Sequence, residues 1–85
     1  MSYRVLLAPG AERALRKLPP AIRRQIVPAL SSLAETPRPA GCTKLKSVED
    51  CYRIRVGDYR ALYAVDDSAS VVLVTVLAHR RDAYR

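Results

Sequence analysis

The chain has 85 residues, 49% of them apolar, with a formal net charge of +7 and a pI near 10.0. This length allows one domain around a small core, and this apolar content excludes a disordered chain. The longest apolar run, near Val71–Ala78, is too short to span a bilayer, and the two cysteines have no metal-ligand spacing.

The elements are taken in chain order. Tyr3 to Leu7 is expected to be a strand ended by Pro9-Gly10. Ala11, Ala14, Leu15 and Leu18 recur at i, i+3, i+4, i+7, opposite Glu12, Arg13, Arg16 and Lys17, which predicts an amphipathic helix. Pro19-Pro20 stops it and opens the next helix, whose stripe is Ile22, Ile26, Ala29, Leu30 and Leu33. Pro28 lies on the solvent side of that stripe and is expected to kink the helix without ending it. Thr36-Pro37-Arg38-Pro39 closes the helical hairpin, and Gly41 and Cys42 lie in a loop. Cys51–Val56 and Tyr59–Val65 read as strands joined by Gly57-Asp58, a two-residue hairpin signal. After a turn at Asp66-Asp67-Ser68-Ala69, the nearly all apolar and β-branched Ser70–Ala78 predicts a central strand covered on both faces. The tail from His79 to Arg85 is polar, either irregular or one helical turn.

The predicted fold is therefore α+β in the order β-α-α-β-β-β. A helical hairpin packs on one face of a small, largely antiparallel four-stranded sheet, in one domain over residues 1–85. Cys51 reads as a strand residue, and two thiols without a signal-peptide pattern suggest a reducing, cytoplasmic setting. A Cys42–Cys51 bridge is the less favoured alternative.

The basic charge suits a polyanion, although it also fits an ordinary basic domain. It is spread along the chain: residues 1–36 carry six Lys/Arg against two acids, residues 37–85 nine against six. Pairing supplies what bulk charge does not. A two-residue turn makes Val56 face Tyr59, and hence Arg55 face Arg60, Ile54 Ala61, Arg53 Leu62 and Tyr52 Tyr63. Alternation then gives one face to Tyr52, Ile54, Val56, Tyr59, Ala61 and Tyr63, and the other to Arg53, Arg55, Arg60, Leu62 and Ala64. Arg55 directly across from Arg60 is an unfavourable like-charge pair. A phosphodiester would relieve it, because guanidinium forks match phosphate oxygens. The alternative is a sheet face whose arginines are only solvated.

Arg80 follows the last strand, beside His79, Arg81 and Tyr84. His79 is the one histidine, and so the one side chain that titrates near neutrality unaided; it is either structural or an acid–base group. Tyr84 either stacks on a base or joins the core. No carboxylate cluster suits Mg²⁺, and no serine has a Ser/His/Asp context. Among enzymes this inventory favours RNA cleavage without metal or other cofactor, in which the substrate's own 2′-OH attacks the adjacent phosphate.

The element order, the KLK of Lys44-Leu45-Lys46, the run CYRIRVGDYRALY and the terminal AHRRDAYR together resemble the RelE branch of the RelE/ParE toxin superfamily, over almost the whole chain. The resemblance implies a type II toxin that cuts mRNA in the ribosomal A site, leaving a 2′,3′-cyclic phosphate and a 5′-OH. The family's basic pair matches Arg53 and Arg55, its third-strand arginine Arg60, its arginine after the last strand Arg80, and its C-terminal tyrosine Tyr84. Where the pattern has lysines this chain has Arg53 and Arg55, and an arginine is a poor general base. His79 is then a candidate acid or base. Lys44 or Lys46, approaching from the loop, is an alternative to it, and both, with Arg81, are candidate RNA contacts. Implied partners are a cognate antitoxin, mRNA and ribosomal RNA, with DNA contacted only through the antitoxin complex and no membrane role. The alternatives are a ParE-like toxin that binds DNA gyrase without cutting RNA, or a toxin-like binding module with little activity.

Overall fold

A computed structural model of the protein describes residues 2–46 and 49–81. In chain order these form β1 (Arg4–Leu7), α1 (Pro9–Lys17), α2 (Pro20–Ser31), a 3₁₀ turn (Ser32–Ala34), β2 (Thr43–Lys44), β3 (Cys51–Val56), β4 (Tyr59–Asp66) and β5 (Val71–His79).

Local chemistry sets the helix ends. Pro9 occupies the first turn of α1 and Pro20 that of α2, where proline's fixed φ suits the helix and its missing N–H costs nothing. Leu18, before Pro19, has ψ 146° and ends α1. Glu12 in the first turn and Arg16-Lys17 in the last complement the helix dipole. Pro28 is exposed and α2 runs on to Ser31, as the stripe requires.

The sheet has the order β1-β5-β4-β3-β2. β1 pairs parallel with β5, with Leu6 beside Leu73; every other pairing is antiparallel. There are five strands rather than the expected four. Thr43–Lys44 pairs with Arg53 and Tyr52 at the far edge, a strand too short to show any period.

Both helices lie on one side of the sheet. Ala11, Ile26, Leu30 and Leu33 meet Ile54, Ala61, Tyr63, Val65, Val72 and Val74 in the core. β5 is central, as expected, but is covered on one face only. Leu73 and Val76 remain 37% and 40% exposed, because both helices pack against the opposite face. The expectation of a strand buried on both sides is therefore corrected. Cys42 and Cys51 are free thiols. Thr43 is opposite Arg53 and the Leu45 N–H donates to the Cys51 carbonyl, so the two cysteines are offset by about three residues, roughly 10 Å of strand. That is beyond the reach of a disulfide.

Candidate nucleic-acid interface

The hairpin β3–β4 has the register that its turn dictates. Gly57 takes φ +59°, the left-handed conformation that a two-residue turn needs and that glycine adopts without strain. Val56 then faces Tyr59, Arg55 faces Arg60, Ile54 faces Ala61, Arg53 faces Leu62 and Tyr52 faces Tyr63. Tyr52, Ile54, Ala61 and Tyr63 are buried in the core. Alternation leaves Arg53, Arg55 and Arg60 together on the open face.

Their surroundings differ. Arg55 is exposed, Arg53 half-buried, and Arg60 buried, with its Nε and Nη1 shielded from solvent. Desolvation pushes the Arg60 guanidinium below its ordinary pKa, and the positive charges of Arg55, Arg53 and Arg80 push it the same way. The four cations thus share one electrostatic field, and an anion on that face would relieve their repulsion. Among the described residues the ion pairs are Glu12–Arg16 and Arg38–Asp67, and neither involves Arg55 or Arg80.

Arg80 reaches this face through an irregularity. Leu62 pairs with Val76 but Tyr63 with Val74, leaving Thr75 as an extra residue in β5. Thr75 and Val76 are consequently both exposed, and the Thr75 hydroxyl donates to the Leu62 carbonyl at 3.3 Å. This β-bulge reverses the parity of the remaining strand residues. Before it, Val72 and Val74 point into the core; after it, Leu77 does. Ala78 stands opposite Arg60 on the open face and His79 opposite Tyr59 on the helix face; the same alternation carries Arg80, in the turn just beyond the strand, to the open face, where its charge acts on Arg60. The Arg80 N–H donates to the Asp58 carbonyl at 2.7 Å, which anchors the strand end to the hairpin turn.

The other expected site residues are dispersed. His79 is edge-on to the Tyr59 ring, centroids 5.3 Å apart, and its Nδ1 accepts the Arg81 N–H at 3.3 Å. It is therefore separated from the arginines by the sheet itself. Lys44 pairs with Tyr52 and so projects from the helix face at the sheet edge, while Lys46 and Arg81 are exposed in turns. Tyr84 lies outside the described residues. Of the candidates, the fold brings together Arg53, Arg55, Arg60 and Arg80, and keeps His79 and Lys44 apart from them.

Two features carried no signal in the sequence. Leu6, Leu73 and Val76 join Leu62, which strand pairing already places with the arginines, on the open face, so that face is basic at one end and apolar at the other. On the helix side, Arg38 braces the loop after the 3₁₀ turn. It donates to the Tyr52 hydroxyl at 2.8 Å and to Asp67 Oδ2 at 2.9 Å, and stands over the Tyr52 ring at 5.3 Å. The Tyr3 hydroxyl donates to Asp67 at 2.6 Å, and the Tyr63 hydroxyl to the Pro37 carbonyl at 2.7 Å. The Arg38 guanidinium holds the Asp67 carboxyl below its ordinary pKa, helped by the Tyr3 hydroxyl. Among the described residues no group of three or more His, Cys, Asp or Glu is placed to hold a metal ion.

A family model described as the ParE toxin of type II toxin–antitoxin system, parDE, matches residues 5–83. The chain is 35% identical over 86 residues to toxin RelG of Mycobacterium tuberculosis, covering 100% of this chain and 99% of that one. It is 38% identical over 74 residues to the mRNA interferase toxin RelE of Escherichia coli, covering 81% of this chain and 77% of that one. Its structure superposes on an archaeal RelE, from the RelE–RelB complex of Pyrococcus horikoshii OT3, with a TM-score of 0.84 at 33% identity, covering 98% of this chain and 100% of that one. With the α+β fold and the arginine face already in place, this chain belongs to the RelE/ParE superfamily of type II toxins, as a RelE-like member.

Proposed function

We propose that the chain is a metal-independent endoribonuclease that cuts ribosome-bound mRNA and is neutralised by a cognate antitoxin. The observation that carries this reading is the gathering of Arg53, Arg55, Arg60 and Arg80 on one open sheet face, where each of the others lies in the field of Arg60. The E. coli relative is named an mRNA interferase, which supports the same chemistry.

In this reaction the 2′-OH of the nucleotide before the cut attacks its own phosphorus. The O2′–P bond forms as the P–O5′ bond breaks, giving a 2′,3′-cyclic phosphate and a 5′-OH; the 2′-OH proton passes to solvent and the leaving 5′ oxygen takes one from it. Negative charge grows on the phosphoryl oxygens and on the leaving oxygen. Fixed guanidinium groups stabilise that charge, and a half-shielded site strengthens them. Arg55 and Arg60, paired across the strands, straddle the phosphate; Arg53 and Arg80 flank it. The bound phosphodiester relieves part of their mutual repulsion and the extra charge of the transition state relieves more, so the clamp holds the transition state more tightly than the bound substrate. Tyr84 is proposed to orient the substrate. His79 faces the other side of the sheet and is not assigned the proton transfer.

The deciding assay is cleavage of a defined mRNA on programmed ribosomes, with end-group analysis of the fragments. Wild type is expected to leave cyclic phosphate ends, and the Arg60→Ala/Arg80→Ala double variant to leave the message intact. Intact message with wild type, alongside double-strand DNA breaks when gyrase is present, would replace this reading with the gyrase-binding one. The antitoxin is expected to cover the open face with a segment carrying acidic side chains against the arginines and apolar ones against Leu6, Leu73 and Val76. Co-expression with the neighbouring small open reading frame should yield a stable complex and restore growth.

A further inference from the structure

Behind the arginines, at the same end of the sheet, an open cavity of about 490 Å³ lies between α2 and the β3–β4 turn. Ile22, Gln25, Gly57, Asp58, Tyr59 and His79 line it. Its volume is within the range of about 300–1,000 Å³ usual for small-molecule sites. Its composition is specific. Tyr59 and His79 present two rings at 82° to each other, so a planar group that stacks on one meets the edge of the other. Gln25 adds an amide with two donors and an acceptor; Asp58 adds a carboxylate, which only accepts. The Gln25 Oε1 lies over Gly57, 3.6 Å from where a Cβ there would be, so the amide is at the turn.

Resting on the RNA-cleaving reading, we propose that this cavity takes a nucleobase of the same RNA strand whose phosphate sits on the arginines. Tyr59 and Arg60 are consecutive, as are His79 and Arg80, so each wall residue is the chain neighbour of a phosphate-face residue. A single strand folding over the Gly57-Asp58 turn reaches both faces. Stacking on an aromatic ring with hydrogen bonds to the base edge is how unpaired RNA bases are recognised. The Asp58 carboxylate repels a phosphate but accepts from a base donor; the one edge donor of uracil, N3–H, sits between two carbonyl oxygens that the carboxylate repels, so the site selects the base rather than the backbone, and adenine, guanine or cytosine over uracil. The bound base would be a specificity determinant of cleavage, and Gln25 and Asp58 the residues that read it.

The single histidine of the chain provides an unambiguous probe. The isolated protein is titrated with AMP, GMP, CMP, UMP and inorganic phosphate, following the His79 ring carbons by ¹H–¹³C NMR. Amino-bearing nucleotides are expected to shift the ring signals at concentrations roughly fivefold or more below UMP, with Asp58→Asn erasing that difference. Inorganic phosphate is expected to leave the ring unmoved. Equal shifts with all four nucleotides, shifts with phosphate alone, or no shift would overturn the proposal. The codon profile of ribosomal cleavage is the second readout: Gln25→Leu and Asp58→Asn should redistribute cuts among codons. An unchanged profile also counts against the site. The nucleotide titration needs no ribosome, so an absence of cleavage by wild type would refute the RNA-cleaving reading without deciding the titration.

Discussion

Removing one arginine from the open face should alter the salt dependence of RNA binding, whereas removing one from the helix side should not. Four guanidinium groups share the face, and each that neutralises a phosphate releases a condensed counterion. For single-stranded RNA about 0.7 is added to the slope of log K against log [salt] per contact, so four contacts give roughly −2.8. Between about 50 and 200 mM salt, that slope weakens binding roughly 50-fold; with one contact fewer the slope falls to about −2.1 and the loss to roughly 20-fold. The pair to compare is Arg55→Ala and Arg13→Ala. Both arginines are exposed and both variants remove one positive charge, but Arg13 is on α1, on the far side of the sheet. Fluorescence anisotropy with a short, labelled, non-cleavable 2′-O-methyl RNA at several salt concentrations measures the slopes. If Arg13→Ala lowers the slope as much as Arg55→Ala, bulk charge rather than a built face binds the RNA, and strand pleating has no part in recognition.

Other consequences are as direct. Tyr63→Phe keeps the ring stacked 5.8 Å from Tyr52 but deletes the bond to the Pro37 carbonyl; the loss of about 1 kcal/mol should lower Tm by roughly 4–8 °C in a thermal melt. Stability should fall at both pH extremes. Asp67 is depressed below its ordinary 3.8, so its contribution is complete above that value and is lost as pH drops through the lower folded value. Tyr63, largely through burial, and Tyr3, largely through its bond to Asp67, are raised above 10.0; their contributions hold below that pH and are lost above it. Urea unfolding from about pH 2 to 11 tests this, with Asp67→Asn expected to flatten the acid limb. Deleting Thr75 should be tolerated, because removal of the extra residue leaves the pairings on both sides of it in phase. Deleting Leu73 should abolish folding, since it turns one stretch of the strand inside out; circular dichroism distinguishes the two.

Much of this molecule was legible in its residues because the deciding forces are local. A two-residue turn with Gly57 sets a register, and a register with period 2 sets which side chains share a face. The face of Arg53, Arg55 and Arg60 is the product of those two facts, and the helical stripes and proline-set helix ends are equally local. The tertiary structure decided what local rules do not reach. The bulge at Thr75 reverses the alternation of the last strand, places Arg80 with the other arginines and turns His79 away, and a single threonine in a β-branched apolar run does not by itself mark it. Likewise, Thr43–Lys44 is a strand only because β3 offers it an edge, and Arg38 finds Asp67 and Tyr52 only once the sheet has brought distant segments together. Periodicity specifies which way a side chain points while the alternation lasts; where that alternation breaks is set by how strands fit against one another in the packed sheet.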